Sequence, residues 1–151
     1  PRDLDIYIDQ KDVPIVHALL EPFAIDSPTY SETPIYSSTL SHYLIDGYNV
    51  EMVGDFKVSA HDSLYQVEIG YLWDNHPNPA LAQDHVVHLM PLAHELLFNM
   101  LRNRPDRYEP ILSAMQSDPH KHMPALSDLL QRNQWGDDFQ AKLKGWLDLR
   151  R

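Results

Sequence analysis

The chain of 151 residues contains no cysteine. That absence excludes disulfides, thiolate metal sites and a cysteine nucleophile, and it fits a reducing compartment such as the cytoplasm. No apolar run approaches the roughly eighteen residues of a membrane span, so no membrane partner is expected. No secretory leader is visible. The chain opens on Pro1 and not on Met, so the N-terminal part of the core is expected to be incomplete. Basic residues are scarce, 12 against 22 acidic ones, for a net charge of −10. Tight binding along a nucleic acid backbone needs a basic stripe, and none is present. Acidity leaves a nucleotide substrate open, because Mg²⁺ bridges carboxylates to phosphates.

Several catalytic signatures are missing as well. There is no Gly-x-Ser-x-Gly elbow, no phosphate-binding loop of the Walker type and no His-Glu-x-x-His helix. Of the nine histidines, His85 and His88 point to opposite faces if they lie on a strand, and His94 follows six residues on. His120 and His122 flank Lys121 in what reads as a loop. Scattered surface histidines account for these better than a zinc site. No internal repeat or low-complexity tract appears.

What is present is a period-2 start. Leu4, Ile6 and Ile8 alternate with Asp3, Asp5, Tyr7 and Asp9, the pattern of a half-buried strand. Asp12 and Pro14 then predict a helix running through Ile15, Val16, Leu19 and Leu20 to Pro22. A polar segment spans 26–34. Residues 35–45 and 48–53 read as strands joined by Asp46-Gly47, a strong hairpin signal. Further strands are predicted at 64–72 and 85–90, with a loop at 74–79. Beyond Pro91 the period becomes helical, with helices around Leu92–Met100, from Pro105, around Leu126–Leu130 and around Phe139–Leu147. Asp137 and Asp138 sit where they cap and open the last one. Tyr36, Tyr43, Tyr48 and Tyr71 could stack on a base, though packing in or on the sheet is the simpler reading. The chain is therefore predicted to be α+β, a mixed sheet of about five strands with flanking helices. An α/β core at 1–90 precedes a helical segment at 91–151 packed on it.

The chemistry-bearing feature is a set of carboxylates. Asp3 and Asp5 project to one side of a strand, about 6.5–7 Å apart along it. Glu51 lies mid-strand between Val50 and Met52, which face the other way with Asn49 on its own side. Two unit charges 4 Å apart repel by roughly 4 kcal/mol at an effective dielectric of 20, a cost that a bound cation removes. Against this, about three acid-x-acid pairs arise by chance at this acid content, and an exposed strand entrance whose acids only aid solubility is the simpler account of the pair taken alone.

Arg2-Asp-Leu-Asp-Ile-Tyr-Ile8, a helix, and a hairpin carrying Val50-Glu51-Met52 resemble the nucleotidyltransferase superfamily of the polymerase-beta type. The likeness is narrower to small bacterial members related to aminoglycoside and lincosamide nucleotidyltransferases, and it covers roughly residues 2–112. The resemblance implies that Asp3, Asp5 and Glu51 are metal ligands and catalytic residues. It implies Mg²⁺, or Mn²⁺ in its place, as cofactor, with a nucleoside triphosphate such as ATP and a hydroxyl acceptor as partners. Glu51 would take the acceptor's proton. Two departures stand out. The family's Gly-Ser pair upstream of Asp-x-Asp is absent, with no room for it before Asp3. The family's helical Lys is also missing where the chain has Asn99 and Met100, leaving Arg102 and Arg104 as candidate phosphate contacts. Three readings follow: a nucleotidyltransferase, a catalytically inactive relative acting through partner contact (antitoxin-like or regulatory), or a structural module. A homodimer is compatible with each.

Overall fold

The computed structural model describes residues 3–148; Pro1 and Arg2, which the sequence joins to the first strand, lie outside the described residues. The chain forms two compact units, Pro1–Lys57 with Gln66–Gly70, and Val58–Tyr65 with Tyr71–Arg151.

The first unit opens with β1 (Asp3–Ile8) and α1 (Val13–Leu20). Asp12 stands before α1 and Pro14 lies in its first turn, as predicted, although Asp12 makes no side-chain capping bond. The edge strand β2 (Thr29–Glu32) and then β3 (Tyr36–Ile45) and β4 (Tyr48–Ala60) follow. Asp46 and Gly47 both have positive φ, 50° and 80°, as a type I′ turn between antiparallel strands requires. β1 returns beside β4 in parallel, with Asp3 opposite Asn49, Asp5 opposite Glu51 and Ile8 opposite Gly54. One sheet face carries Val50 and Met52, which with Tyr43 form a buried cluster against Val16 and Leu20 of α1. Gly54 lets the helix approach: a Cβ there would lie 2.5 Å from Val13 Cγ2. The other face carries Asp3, Asp5, Asn49 and Glu51. Farther along, Tyr7, the neighbour of Val53, packs its ring at a tilt against Phe56, with centroids 5.5 Å apart. That contact needs β4 to slip by one residue, and Asp55, at φ 52°, marks the bulge.

The sheet has five strands in the order β1-β4-β3-β2, with β5 (Ser63–Gln66) also pairing β4. The fold is α+β with a mixed sheet and flanking helices, but its five strands are not quite the predicted five. β2 falls in the polar segment at 26–34, where no strand was predicted; it pairs Ser37–Leu40 and carries no apolar alternation. The strand predicted at 64–72 is replaced by β5 and a helix, α2 (Ile69–Asn75). Both carboxylate oxygens of Asp9 accept from the first turn of α2, at Ile69 N and Gly70 N, each at 2.8 Å. The apolar run there is too short for its period to separate strand from helix. The strand predicted at 85–90 is β7 (His85–His88), which pairs with β6 (Pro79–Ala82) in a separate hairpin.

In the second unit, α3 (Leu92–Leu101), α4 (Pro105–Ser117), α5 (Pro119–Arg132) and α6 (Asp137–Asp148) follow the helical periods read from the sequence. Leu96, Leu97, Met115, Leu126 and Leu143 are buried among them. Gly136 sits where a Cβ would meet the His61 carbonyl at 2.3 Å, and its N–H donates to Ser63 Oγ. Among the described residues no helix is long and apolar enough to cross a membrane.

Candidate functional site

The parallel register decides what the acids can do together. Partners across neighbouring strands point to the same face, and such strands lie about 4.8 Å apart. Asp5 and Glu51 are partners of this kind, and Asp3 shares their face two residues back. Like charges directly opposite destabilise a sheet. Asp3 Oδ1 accepts from Asn49 Nδ2 at 3.2 Å. Among the described residues Asp5 has no ion pair or hydrogen bond through its side chain.

Glu51 has a partner that the sequence reading missed. The two-residue turn sets His42 of β3 opposite Glu51, and His42 Nε2 lies 3.3 Å from Glu51 Oε1. His42 is itself held at two points by Asp26, whose Oδ1 accepts from the His42 backbone N–H and whose Oδ2 meets Nδ1, both at 2.7 Å. The chain brings Asp26 there because Ala24 bridges Tyr43 and Ile25 N–H donates to the His42 carbonyl. Asp26, His42, Glu51 and Asp5 therefore form a row across the sheet. Hydrogen bonding to Asp26 holds the His42 imidazole above its usual range, outweighing the opposing effect of burial, and the Asp26 charge and Glu51 add to the rise. At Asp26 burial pushes upward, yet the bonds and charge of His42 outweigh it and leave the carboxyl below its usual range. The signal for His42 was available: counting outward from Asp46-Gly47, residues 42 and 51 are equidistant from the turn.

The donor set suits a hard cation. Carboxylate oxygens match Mg²⁺ or Mn²⁺, and Mg²⁺ is commonly held by one or two carboxylates with substrate phosphates and water completing its shell. Among the described residues no three His, Cys, Asp or Glu side chains are gathered closely enough to cage a metal by themselves. The face thus fits the open, two-carboxylate kind of site and not a closed protein cage.

Arg102 and Arg104 belong to the second unit. Arg102 donates through Nε and a terminal nitrogen to Asn99 Oδ1, at 2.8 and 2.6 Å, and covers the Phe98 ring. Arg104 forms a two-point pair with Asp106 at 2.9 and 2.7 Å. The reading of the histidines as scattered surface groups is corrected at His94, which is fully buried with Nδ1 2.8 Å from Tyr65 Oη. Burial alone depresses its pKa to about 3. Of the tyrosines, Tyr43 is a core residue, its hydroxyl donating to Ser41 Oγ and lying 2.8 Å from His17 Nδ1.

No protein-family model matches the chain, and no curated protein sequence does. A solved structure does: that of a Thermotoga maritima protein, described provisionally as a nucleotidyltransferase. The two are 18% identical with a TM-score of 0.59, over 78% of this chain and 71% of that one. At that identity the likeness establishes a shared fold, and the chain has a nucleotidyltransferase-like fold.

Proposed function

We propose that the chain is an Mg²⁺-dependent nucleotidyltransferase, moving a nucleoside monophosphate from a nucleoside triphosphate to a hydroxyl acceptor. The observation that carries this reading is the parallel register that sets Asp5 opposite Glu51, with Asp3 on the same face. The fold shared with the Thermotoga maritima protein supports it. Asp5 and Glu51, with Asp3, would hold the cation; when bound, it neutralises phosphate charge as the α-phosphorus is attacked. Glu51 accepts the proton of the acceptor hydroxyl as the new oxygen–phosphorus bond forms and the bond to pyrophosphate breaks. A base in this role contributes typically about 10²–10⁴ in rate. His42 keeps Glu51 Oε1 engaged, so the free oxygen, Oε2, is the one that faces the acceptor.

A second reading, a catalytically inactive relative that acts through binding, draws on a different observation. No three-residue metal cluster forms among the described residues. Pyrophosphate release from ATP, GTP, CTP and UTP in Mg²⁺ separates the two, with water standing in for the acceptor. Slow release that disappears in Asp5→Asn and Glu51→Gln supports the enzyme. Release no greater than in those variants for any nucleotide supports the inactive relative.

A further inference from the structure

In the second unit, the turn after α2 and the start of α5 enclose a cleft of about 240 Å³. Its polar wall is made by His76, Asn78, Lys121 and His122, and its apolar wall includes Leu92 and Ala125. No carboxylate lines it, although acids outnumber bases 22 to 12 in the chain. That makes it a local reversal of the protein's charge.

His76 is held rigidly. Its Nε2 lies 2.8 Å from Asp128 Oδ2, which also accepts the Tyr71 hydroxyl, and the Arg132 guanidinium lies 3.6 Å over the Tyr71 ring. With Nε2 committed to Asp128, Nδ1 is the nitrogen that remains for a ligand. In the imidazolium form both nitrogens donate, one to Asp128 and one to an acceptor in the cleft. The side chains of Lys121 and His122 have no hydrogen bond or ion pair among the described residues. Within the cleft Lys121 has no carboxylate to balance it, since Asp128 reaches only the Nε2 side of His76, and an anion lying between Lys121 and the two imidazoles would balance it.

We propose that this cleft binds a phosphate group, as the free ion or as the phosphoryl end of a small phosphorylated molecule. Lys121 supplies charge, His122 a ring N–H and His76 a fixed donor. Charge-assisted bonds to phosphate are short and about twice as strong as neutral ones. Leu92 and Ala125 beside them lower the local dielectric, which strengthens the attraction. A transition metal fits poorly, because Lys121 repels it and no group of three metal ligands forms among the described residues. The cleft shares no residue with the carboxylate face on β1 and β4.

The test is titration of the intact chain with inorganic phosphate and with glycerol 3-phosphate, without Mg²⁺, read by calorimetry and by the ring resonances of His76 and His122. Saturable binding is expected, with both rings shifting. The Lys121→Gln/His122→Gln double variant should weaken it roughly ten-fold or more, and Asp5→Asn should leave it unchanged. Glycerol 3-phosphate binding tighter than phosphate identifies the ligand as a phosphorylated molecule, and equal affinity identifies it as the free ion. The double variant exchanges exposed and half-buried side chains, and an unshifted melting temperature without phosphate confirms its fold. His76→Gln provides a second measure at the rigid wall. Absence of saturation in the wild type, or equal affinity in wild type and double variant, overturns the proposal.

Discussion

Acidification should destabilise this protein through one histidine well before its carboxylates titrate. His94 is fully buried, and its pKa of about 3 in the folded chain lies below its ordinary value of 6.5. At pH 5 the unfolded chain binds a proton at this position and the folded chain does not. Because the unfolded state binds more protons, stability rises with pH and is lost on acidification from about 6.5 toward 3. The unfolded state gains RT ln(1 + 10^1.5), so moving from pH 7 to pH 5 costs about 2 kcal/mol, a large part of a marginal stability of roughly 5–15 kcal/mol. Glu95, raised mainly by burial, and His42, raised mainly by its bond to Asp26, both act in the opposite direction. A variant that cannot titrate isolates the effect. In His94→Gln the amide can still meet the Tyr65 hydroxyl, so urea unfolding at pH 7 and pH 5 is compared between wild type and variant. The wild type should lose about 2 kcal/mol more than the variant. Equal losses would refute the argument.

Three further outcomes follow from the first unit. In Asp26→Ala the His42 ring, followed by NMR, should titrate closer to its ordinary 6.5. The pair's contribution is present above the usual Asp value of 3.8 and below that of His, and it fades as pH rises through the raised His42 value or falls through the lowered Asp26 value. An unchanged His42 titration would rule out the coupling. Asp9→Ala removes both acceptors from the first turn of α2 and should cost about 1–2 kcal/mol in thermal or urea unfolding. A melting temperature matching wild type would count against that cap. Asp5→Asn should stabilise the metal-free protein by about 0.2–1 kcal/mol, since it removes a like charge opposite Glu51; destabilisation would show that the two charges are not in opposition.

Much of the first unit was legible because its signals are local. A type I′ turn needs two residues of positive φ, and Asp46-Gly47 supplies them. Asp3 and Asp5 share a face because a strand has period 2. α2 was not legible, since its start depends on Asp9, some sixty residues earlier. Leu64 opens the strand predicted at 64–72, yet it is exposed and Tyr65 is buried. β2 is stabilised by pairing with β3 and not by an apolar face, so it leaves no alternation to read. The hydrophobic pattern around His94 gave no warning that a polar ring would be buried, because the partner that satisfies it, Tyr65, is 29 residues away. At the carboxylate face the residue types were readable. The parallel pairing of β1 with β4 was not, because no hairpin joins them.

The account stands most directly on divalent cation binding by Asp5 and Glu51. Mn²⁺ can be titrated into wild type, Asp5→Asn and Glu51→Gln in the presence of an ATP analogue methylene-bridged between α and β, with bound ion read by electron paramagnetic resonance. The wild type should bind, and each variant should bind roughly ten-fold more weakly or worse, a difference of at least about 1.4 kcal/mol. Equal affinity in all three proteins would contradict it.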